Sequence, residues 1–502
     1  MKKMNVRSVL AGVLLLAISF GLFAACGVPE EPETTEPVQE TSVIYLGENG
    51  DIPCPALPDA QFATSDVVQW TFDQFGEENN TPYGIATETV AQEDAPISNW
   101  YCGDGTYQAQ YSRVTPMDYR AFLDSAKKMG FQMVTSSDLN NDVLYAGMTY
   151  QGNYYTFTYI GGTSELLITV GKRAFSPYLN KDNASTAAAD AGVAPTLTML
   201  PYPEYGGDNY VIQLKNGHFI LFDGGSIYNL AQLLDFLEEK TPEGQQTVID
   251  AWFITHGHFD HVGWTAGFYR TQEELGDVME ANPGERIAIN GVYYNMPDEA
   301  IIENTVYSWR SDTPTTGYRN KSESVWPYNV ARGIEKMKTE DGSPTPWYRP
   351  VVGQVYYFAG MTVEIPYSQE LITFADYQMD LNASSTWYFV RNENGNTFLE
   401  TGDTENVNMD KVVRMYTSDY EILSGKPSIM SAPHHGHNVY DQHIDNFWAP
   451  IMFYTTKTMF SWAAEYVAAN KNMHESHNVQ YYCYGDSGYQ YDFTTGEVTK
   501  IK

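Results

Sequence analysis

Three imidazoles and a carboxylate fall within six consecutive residues in the stretch Thr255-His256-Gly257-His258-Phe259-Asp260-His261-Val262-Gly263. The chain of 502 residues holds only 10 histidines, so this density is a local feature. Imidazole nitrogens and carboxylate oxygens at such spacing are donors for a transition metal. His256 and His258 can turn to one ion, while Asp260 and His261 turn to a second a short distance away. Another imidazole group stands far downstream, at His434-His435-Gly436-His437. Between the two groups lies Asp403, in Thr401-Gly402-Asp403, and before both lies Asp223, in Asp223-Gly224-Gly225. A divalent ion held by such groups lowers the pKa of its water from about 15.7 toward about 7. The chemistry implied is hydrolysis by a metal-bound hydroxide.

The order of these pieces resembles the metallo-β-lactamase superfamily, whose signature is HxHxDH after an apolar strand. The resemblance covers most of residues 200 to 460 and implies an α/β fold, the αββα sandwich of that family. It implies that Asp223 supports the metal loop by hydrogen bonds and does not ligate. His256, His258 and Asp403 would hold a first ion. Asp260, His261, Asp403 and His435 would hold a second, with His434 as the alternative to His435. Asp260, His434 and His437 are the candidate proton carriers, and His437 could equally support a ligand or face substrate. This chain departs from the family in one respect. No histidine lies between His261 and His434, where many members place a third ligand for the first ion. The expectation is therefore one or two zinc ions, with manganese as the alternative.

The series Asp380-Leu381-Asn382-Ala383-Ser384-Ser385, Trp387-Tyr388-Phe389-Val390, TGD and HHG narrows the resemblance. It is similar to the extracellular domain of ComEC competence proteins and to teichoic-acid phosphorylcholine esterases. That branch implies a phosphodiesterase acting on a small-molecule or cell-wall substrate. A lactonase or other ester hydrolase on the same fold is the first alternative. A degenerate, non-catalytic wall- or ligand-binding lipoprotein is the second.

Such residues need strand ends to carry them. Ala251-Trp252-Phe253-Ile254 reads as a buried strand feeding the histidine loop. Two apolar runs, Tyr210 to Leu214 and Phe219 to Phe222, flank Asn216-Gly217 and read as a hairpin delivering Asp223. Upstream, Thr115 is a candidate N-cap for a helix with Tyr119, Phe122, Leu123, Ala126 and Met129 on one face, closed by Gly130. The runs around Val143, Tyr154 and Leu166, separated by Gly-containing turns, read as a hairpin-rich sheet. Residues 264 to 395 hold an insertion expected over the site. It contains Trp309, Tyr318, Trp326, Tyr328, Trp347, Tyr348, Tyr356 and Tyr357. Packing is the usual role of such rings, and a box for a quaternary ammonium is the functional alternative. His474 and His477 read as part of a polar loop before the last strand.

The expected organisation is a lipoprotein signal peptide at 1–25 and an acidic Pro/Glu/Thr-rich linker at 26–58. A small α+β domain at 59–175 follows, then a linker at 176–196 and the metallo-β-lactamase-fold domain at 197–502. Lys2, Lys3 and Arg7 precede a charge-free run of roughly 15 residues, a length suited to a signal peptide and short for a membrane span. Small residues then lead to Cys26, whose thiol would carry a lipid and anchor the chain outside the cytoplasmic membrane. Cys54, Cys102 and Cys483 remain, and Cys54 with Cys102 could be a disulfide or two buried thiols. With 63 acidic against 29 basic residues the net charge is −34. This argues against free nucleic acid as partner, since gripping phosphate backbones needs a basic face. Hydrophobic content of 43% excludes a wholly disordered chain.

Overall fold

The computed structural model describes residues 43–46, 51–57, 86–92, 95–101, 106–184, 190–201, 207–271, 282–295, 306–307, 315–316, 325–368, 382, 385–404, 412, 415–416, 427–436, 448–456, 471–472, 474–484 and 487–501. Cys26, Cys102, Trp309, Tyr318, His437 and most of the Asp380–Ser384 stretch lie outside these residues, as do the expected signal peptide and residues 26–42 of the expected acidic linker. The end of that linker differs from the expectation: Val43–Leu46 and Ile52–Pro55 pair as an antiparallel hairpin, and Leu46, Cys54, Ala56 and Leu57 are buried in the upstream core. Among the described residues no helix is long and apolar enough to cross a membrane. Residues Ser42–Lys502 form one compact unit.

Two mixed sheets make an α/β sandwich. The first is hydrogen-bonded in the order Trp347–Tyr348, Val292–Tyr293, Thr247–Phe253, Phe219–Phe222, Tyr210–Gln213, Thr196–Met199, Tyr489–Asp492 and Val498–Lys500, with Ile287–Ile289 also paired to Thr247–Phe253. The second runs Val355–Phe358, Met361–Tyr367, Trp387–Asn392, Thr397–Glu400, Ile429–Ser431, Ile451–Tyr454 and Gln480–Cys483. Their facing surfaces meet through aromatic rings. Phe222 and Phe253 lie 5.5 and 4.9 Å from Tyr388, and Tyr210 lies 5.3 Å from Phe398. Side chains alternate across a strand, so Trp252 points to the other face, where it meets Trp264 at 5.2 Å. Helix Leu230–Lys240 presents Leu230, Leu233, Leu234 and Leu237 at helical spacing to that same core.

Upstream stands a seven-stranded antiparallel sheet, ordered Ala86–Gln92, Ala95–Tyr101, Tyr107–Ser112, Glu165–Gly171, Asn153–Ile160, Val143–Tyr150 and Gln132–Leu139. Helix Pro116–Met129 packs on it through Tyr119, Phe122 and Ala126. A capping box starts the helix: the Thr115 hydroxyl accepts from the Asp118 N–H, and the Asp118 carboxylate accepts from the Thr115 N–H at 2.8 Å. Gly130, at φ 99°, ends it. Cys54 is a buried free thiol in the same core, and burial pushes its pKa up.

This sheet shares a core with the sandwich. Leu139, Val143, Ile160 and Leu167 lie in one apolar cluster with Trp387, Phe389, Leu399 and Met430. The Thr158 hydroxyl donates to the Val352 carbonyl at 3.0 Å, and the Ser137 hydroxyl donates to that of Gly353. Gly353 has φ 88°, and a Cβ there would lie 2.6 Å from Tyr145 Cβ, so only glycine permits this approach. In the connecting segment, Leu179 is buried in the main core and Lys181–Ala184 forms a short helix.

Much of the expected insertion at 264–395 is instead sandwich, since six strands from Ile287–Ile289 to Trp387–Asn392 belong to its two sheets, and its aromatics are largely packing groups where they are described. Tyr356 is buried with its hydroxyl on Gln354 Oε1, and Trp347 stacks on Tyr294 at 4.7 Å beneath the Arg173 guanidinium. Trp326 and Tyr328 fall on helix Val325–Ile334. His474 differs from the loop expectation. It lies in a helical turn, buried, accepting from the Tyr454 hydroxyl at 2.7 Å, and burial lowers its pKa to about 4. His477 stacks on Trp448 at 4.5 Å.

Candidate metal centre

Strand direction gathers the chemistry at one end of the sandwich. Phe219–Phe222 and Thr247–Phe253 are parallel neighbours, as are Thr397–Glu400, Ile429–Ser431 and Ile451–Tyr454 in the other sheet. Parallel strands put their carboxyl ends on the same edge, where ligands of open α/β sheets bind. Asp223, the histidine loop, Asp403, the His434-His435 pair and Thr455 each follow one of these strands directly. The two sheets are tied at this edge. Tyr388 Oη donates to the Ile254 carbonyl at 2.7 Å, and the Thr386 N–H donates to that of Thr255 at 3.0 Å.

Asp223 organises the loop and sits beneath it, fully buried. Its Oδ1 accepts the Thr255 N–H at 2.7 Å, and its Oδ2 accepts the Thr255 hydroxyl at 2.7 Å and His261 Nδ1–H at 2.8 Å. Thr255 Oγ1 also lies 3.1 Å from His256 Nδ1, which the network makes the donor. Both imidazoles therefore carry their Nδ1 proton away from the centre and aim Nε2 into it. Burial pushes the Asp223 pKa up to about 6, against the pull of the His261 charge. The residue adopts φ 54°, a left-handed conformation that Asp tolerates better than most side chains. Gly263 lets the loops touch, since a Cβ there would come within 2.5 Å of Ile227 N.

Asp403 is the hub. Its Oδ1 lies 3.2 Å from His261 Nε2 and 3.4 Å from His435 Nε2, and Asp260 Oδ2 lies 3.3 Å from that same His435 nitrogen. Its Oδ2 lies 3.7 Å from His256 Nε2 and 3.5 Å from His434 Nε2. His258 Nδ1 is 2.9 Å from His256 Nε2. Two groups thus share one carboxylate. His261 Nε2 and Asp403 Oδ1 are buried without a hydrogen-bond partner, an expensive arrangement unless a cation uses them. A tetrahedral ion with bonds of about 2.0–2.1 Å needs donor atoms about 3.3–3.4 Å apart. The separations around Oδ1 match that value, and those around Oδ2 are slightly wider. The donor set, imidazole nitrogen and carboxylate oxygen, suits zinc or a similar divalent ion.

The electrostatics agree with this geometry. Burial would lower the His261 and His435 pKa values, but Asp403 with Asp223 and Asp260 around the first, and Asp208 with Asp260 around the second, hold both well above the ordinary range. Burial, joined by the His261 charge, holds His256 well below it. Asp403 and Asp260 are both depressed, because the surrounding imidazoles outweigh their burial. Ligation needs the Nε2 lone pairs, so cation uptake releases protons.

Every described candidate from the sequence is brought to this edge. Asp260 and His434 are partly open to solvent, with side chains 20% and 18% exposed. His437 lies outside the described residues. Two supporting residues carried no local signal. Asp208 is wholly buried before strand Tyr210–Gln213, with Oδ1 3.3 Å from His435 Nδ1. Thr455 Oγ1 lies 2.7 Å from His435 Nδ1 and donates to Asp208. Asp208 also stands within reach of a cation held by His261, Asp403 and His435. A polar residue at the end of an apolar strand was the only clue to either.

A family model described as the metallo-beta-lactamase superfamily matches residues 202–273, the segment containing Asp208, Asp223 and the histidine loop. Among solved structures, the chain is similar to the metallo-beta-lactamase fold protein YhfI from Bacillus subtilis, at 10% identity and TM-score 0.30, covering 58% of this chain and 96% of that one. It is also similar to zinc-bound PqqB from Methylobacterium extorquens, at 8% identity and TM-score 0.26, over 47% and 71% of the two chains. A third is BJP-1, a subclass B3 metallo-beta-lactamase of Bradyrhizobium japonicum, at 14% identity and TM-score 0.24, over 54% and 86%. No curated protein matches the chain.

Proposed function

We propose that this chain is a metal-dependent hydrolase that acts on a phosphodiester outside the cytoplasmic membrane, held there by a lipid on Cys26. The observation that carries the hydrolase reading is the pair of donor groups sharing Asp403, with buried donor atoms left for a cation. Divalent cations held by His256, His258, His261, His435 and Asp403 would supply Lewis acidity and a water of lowered pKa. The chain's own residues do the rest. Asp223 and Asp208 fix the Nδ1 protons of His261 and His435, so both rings present lone pairs. Asp260, the partly open carboxylate, stands at the mouth and can hold a proton for the leaving group. The membrane anchor rests on the positive start, the apolar run and Cys26. The phosphodiester rests on the Asn-Ser-Ser, TGD and HHG series, and the net charge of −34 favours a short or wall-linked substrate over a long polyanion.

Purified protein should carry about two equivalents of zinc or manganese and hydrolyse bis-para-nitrophenyl phosphate. His258→Ala should lower both metal content and turnover, the latter beyond the roughly 10–100-fold typical of supporting groups. Unchanged turnover in a folded variant would overturn the account. Hydrolysis of lactones with no phosphodiesterase activity would move the substrate class, and failure to bind metal on reconstitution would leave a binding module.

A further inference from the structure

We propose that His434 is the third imidazole of the first cation group, taking the place of the mid-domain histidine that this chain lacks. The inference rests on the two-cation reading above. Consecutive residues would ordinarily be poor candidates for two different ions, since both must reach opposite sides of one carboxylate. The backbone here makes that possible. His434 has φ 50° and ψ 47°, and His435 has φ 55° and ψ 15°. Left-handed conformations at two successive non-glycine residues are strained. Strain of that kind persists where surrounding contacts hold it. The His434 N–H donates to the Gly402 carbonyl at 3.1 Å, and the Ala432 N–H donates to that of Phe453 at 2.8 Å. Gly436 follows at φ 81°.

The result is a fan. The two rings lie 57° apart in plane with centroids separated by 6.1 Å. His435 turns to Asp403 Oδ1, beside His261 and Asp260, with its Nδ1 fixed by Thr455. His434 turns to Asp403 Oδ2, at 3.5 Å, the oxygen that also faces His256 at 3.7 Å. The donor atoms of His256, His258 and Asp403 lie within 4.8 Å of one another, and His434 joins this first group through Asp403 Oδ2. Those of Asp208, His261, Asp403 and His435 make the second, with Asp260 at 3.3 Å from His435 Nε2, so one dipeptide serves both.

The deciding measurement is metal content after competition with a chelator, for wild type, His434→Ala and His434→Gly. Glycine accepts the left-handed conformation without strain. His434→Gly should therefore match or exceed wild type in thermal stability in excess EDTA, which separates ligand loss from misfolding. Wild type should retain two equivalents of zinc, and both variants should retain one, with at least about 10-fold weaker binding of the other. Cobalt-substituted variants should lose the absorption bands of one site and keep those of the other. Two equivalents at unchanged affinity in His434→Gly would overturn the proposal and leave His434 a proton carrier. Fewer than two equivalents in wild type would instead overturn the two-cation reading itself.

Discussion

Thr255 and Thr455 each use one hydroxyl to join a carboxylate to an imidazole, Asp223 to His256 and Asp208 to His435. The two relays give the centre its orientation, because a ring nitrogen can ligate only if its other nitrogen keeps the proton. Asp223→Asn tests this directly. Asparagine tolerates the same left-handed backbone, so strain is unchanged. Its amide group, however, cannot accept at both positions from Thr255 and His261. Metal affinity should fall about 10–100-fold with the fold retained, as read by chelator competition and circular dichroism. Unchanged affinity would mean that His261 is oriented without Asp223. At this scale the sequence was informative wherever donors crowd within a few residues, as from His256 to His261. It was silent on Asp208 and Thr455, which stand 247 residues apart and meet only because antiparallel and parallel strands end at one edge. His434 was named in advance as a ligand or proton carrier, but the Asp403 oxygen it faces depends on two backbone angles that composition does not announce.

Strands Phe219–Phe222 and Thr247–Phe253 carry the candidate metal loops at one end, and a separate ion pair lies away from them. His218 Nδ1 lies 2.9 Å from Asp250 Oδ1, which also accepts from Tyr178 Oη and Asn290 Nδ2 at 3.0 Å each. Burial lowers the His218 pKa, but the hydrogen bond and charge of Asp250, with Glu340 nearby, outweigh it and hold the ring above its ordinary value. A raised folded-state pKa stabilises fully below the unfolded value of about 6.5 and ceases to do so as pH rises through the folded value. The urea midpoint of wild type should therefore exceed that of His218→Gln most below about pH 6.5, with the gap narrowing on the alkaline side. A gap that grows with pH would refute the protonated pair. Elements with a strong local pattern were readable in advance. Helix Pro116–Met129 has its cap and closing glycine where the sequence puts them, and the hairpin before Asp223 forms as its Asn-Gly turn suggests. The turn that buries His474 was not readable, because its reason is Tyr454 on a strand 20 residues earlier.

The upstream sheet and the sandwich are one folding unit in energetic terms. Leu139, Val143, Ile160 and Leu167 are each 6% exposed or less, within the cluster they share with the second sheet. Uncovering four such side chains forfeits about 1.5–3 kcal/mol each, a sum comparable to the roughly 5–15 kcal/mol stability of a whole domain. A chain beginning at residue 190 should therefore be insoluble or unfold without a cooperative transition, while the full chain gives one transition by calorimetry. A soluble, cooperatively unfolding fragment would show the shared cluster to be dispensable. Nothing in the sequence of either region marks this union, since apolar faces look alike whatever covers them. The shared cluster also sets a timetable. The upstream sheet leaves the ribosome first, yet its partners Val352, Gly353, Trp387 and Met430 are made some 200 residues later, as the 194- and 216-residue separations of its hydrogen bonds record. During that interval the sheet presents a bare apolar face, so the nascent chain passes through its most aggregation-prone state before the candidate ligands from Asp403 to His435 exist.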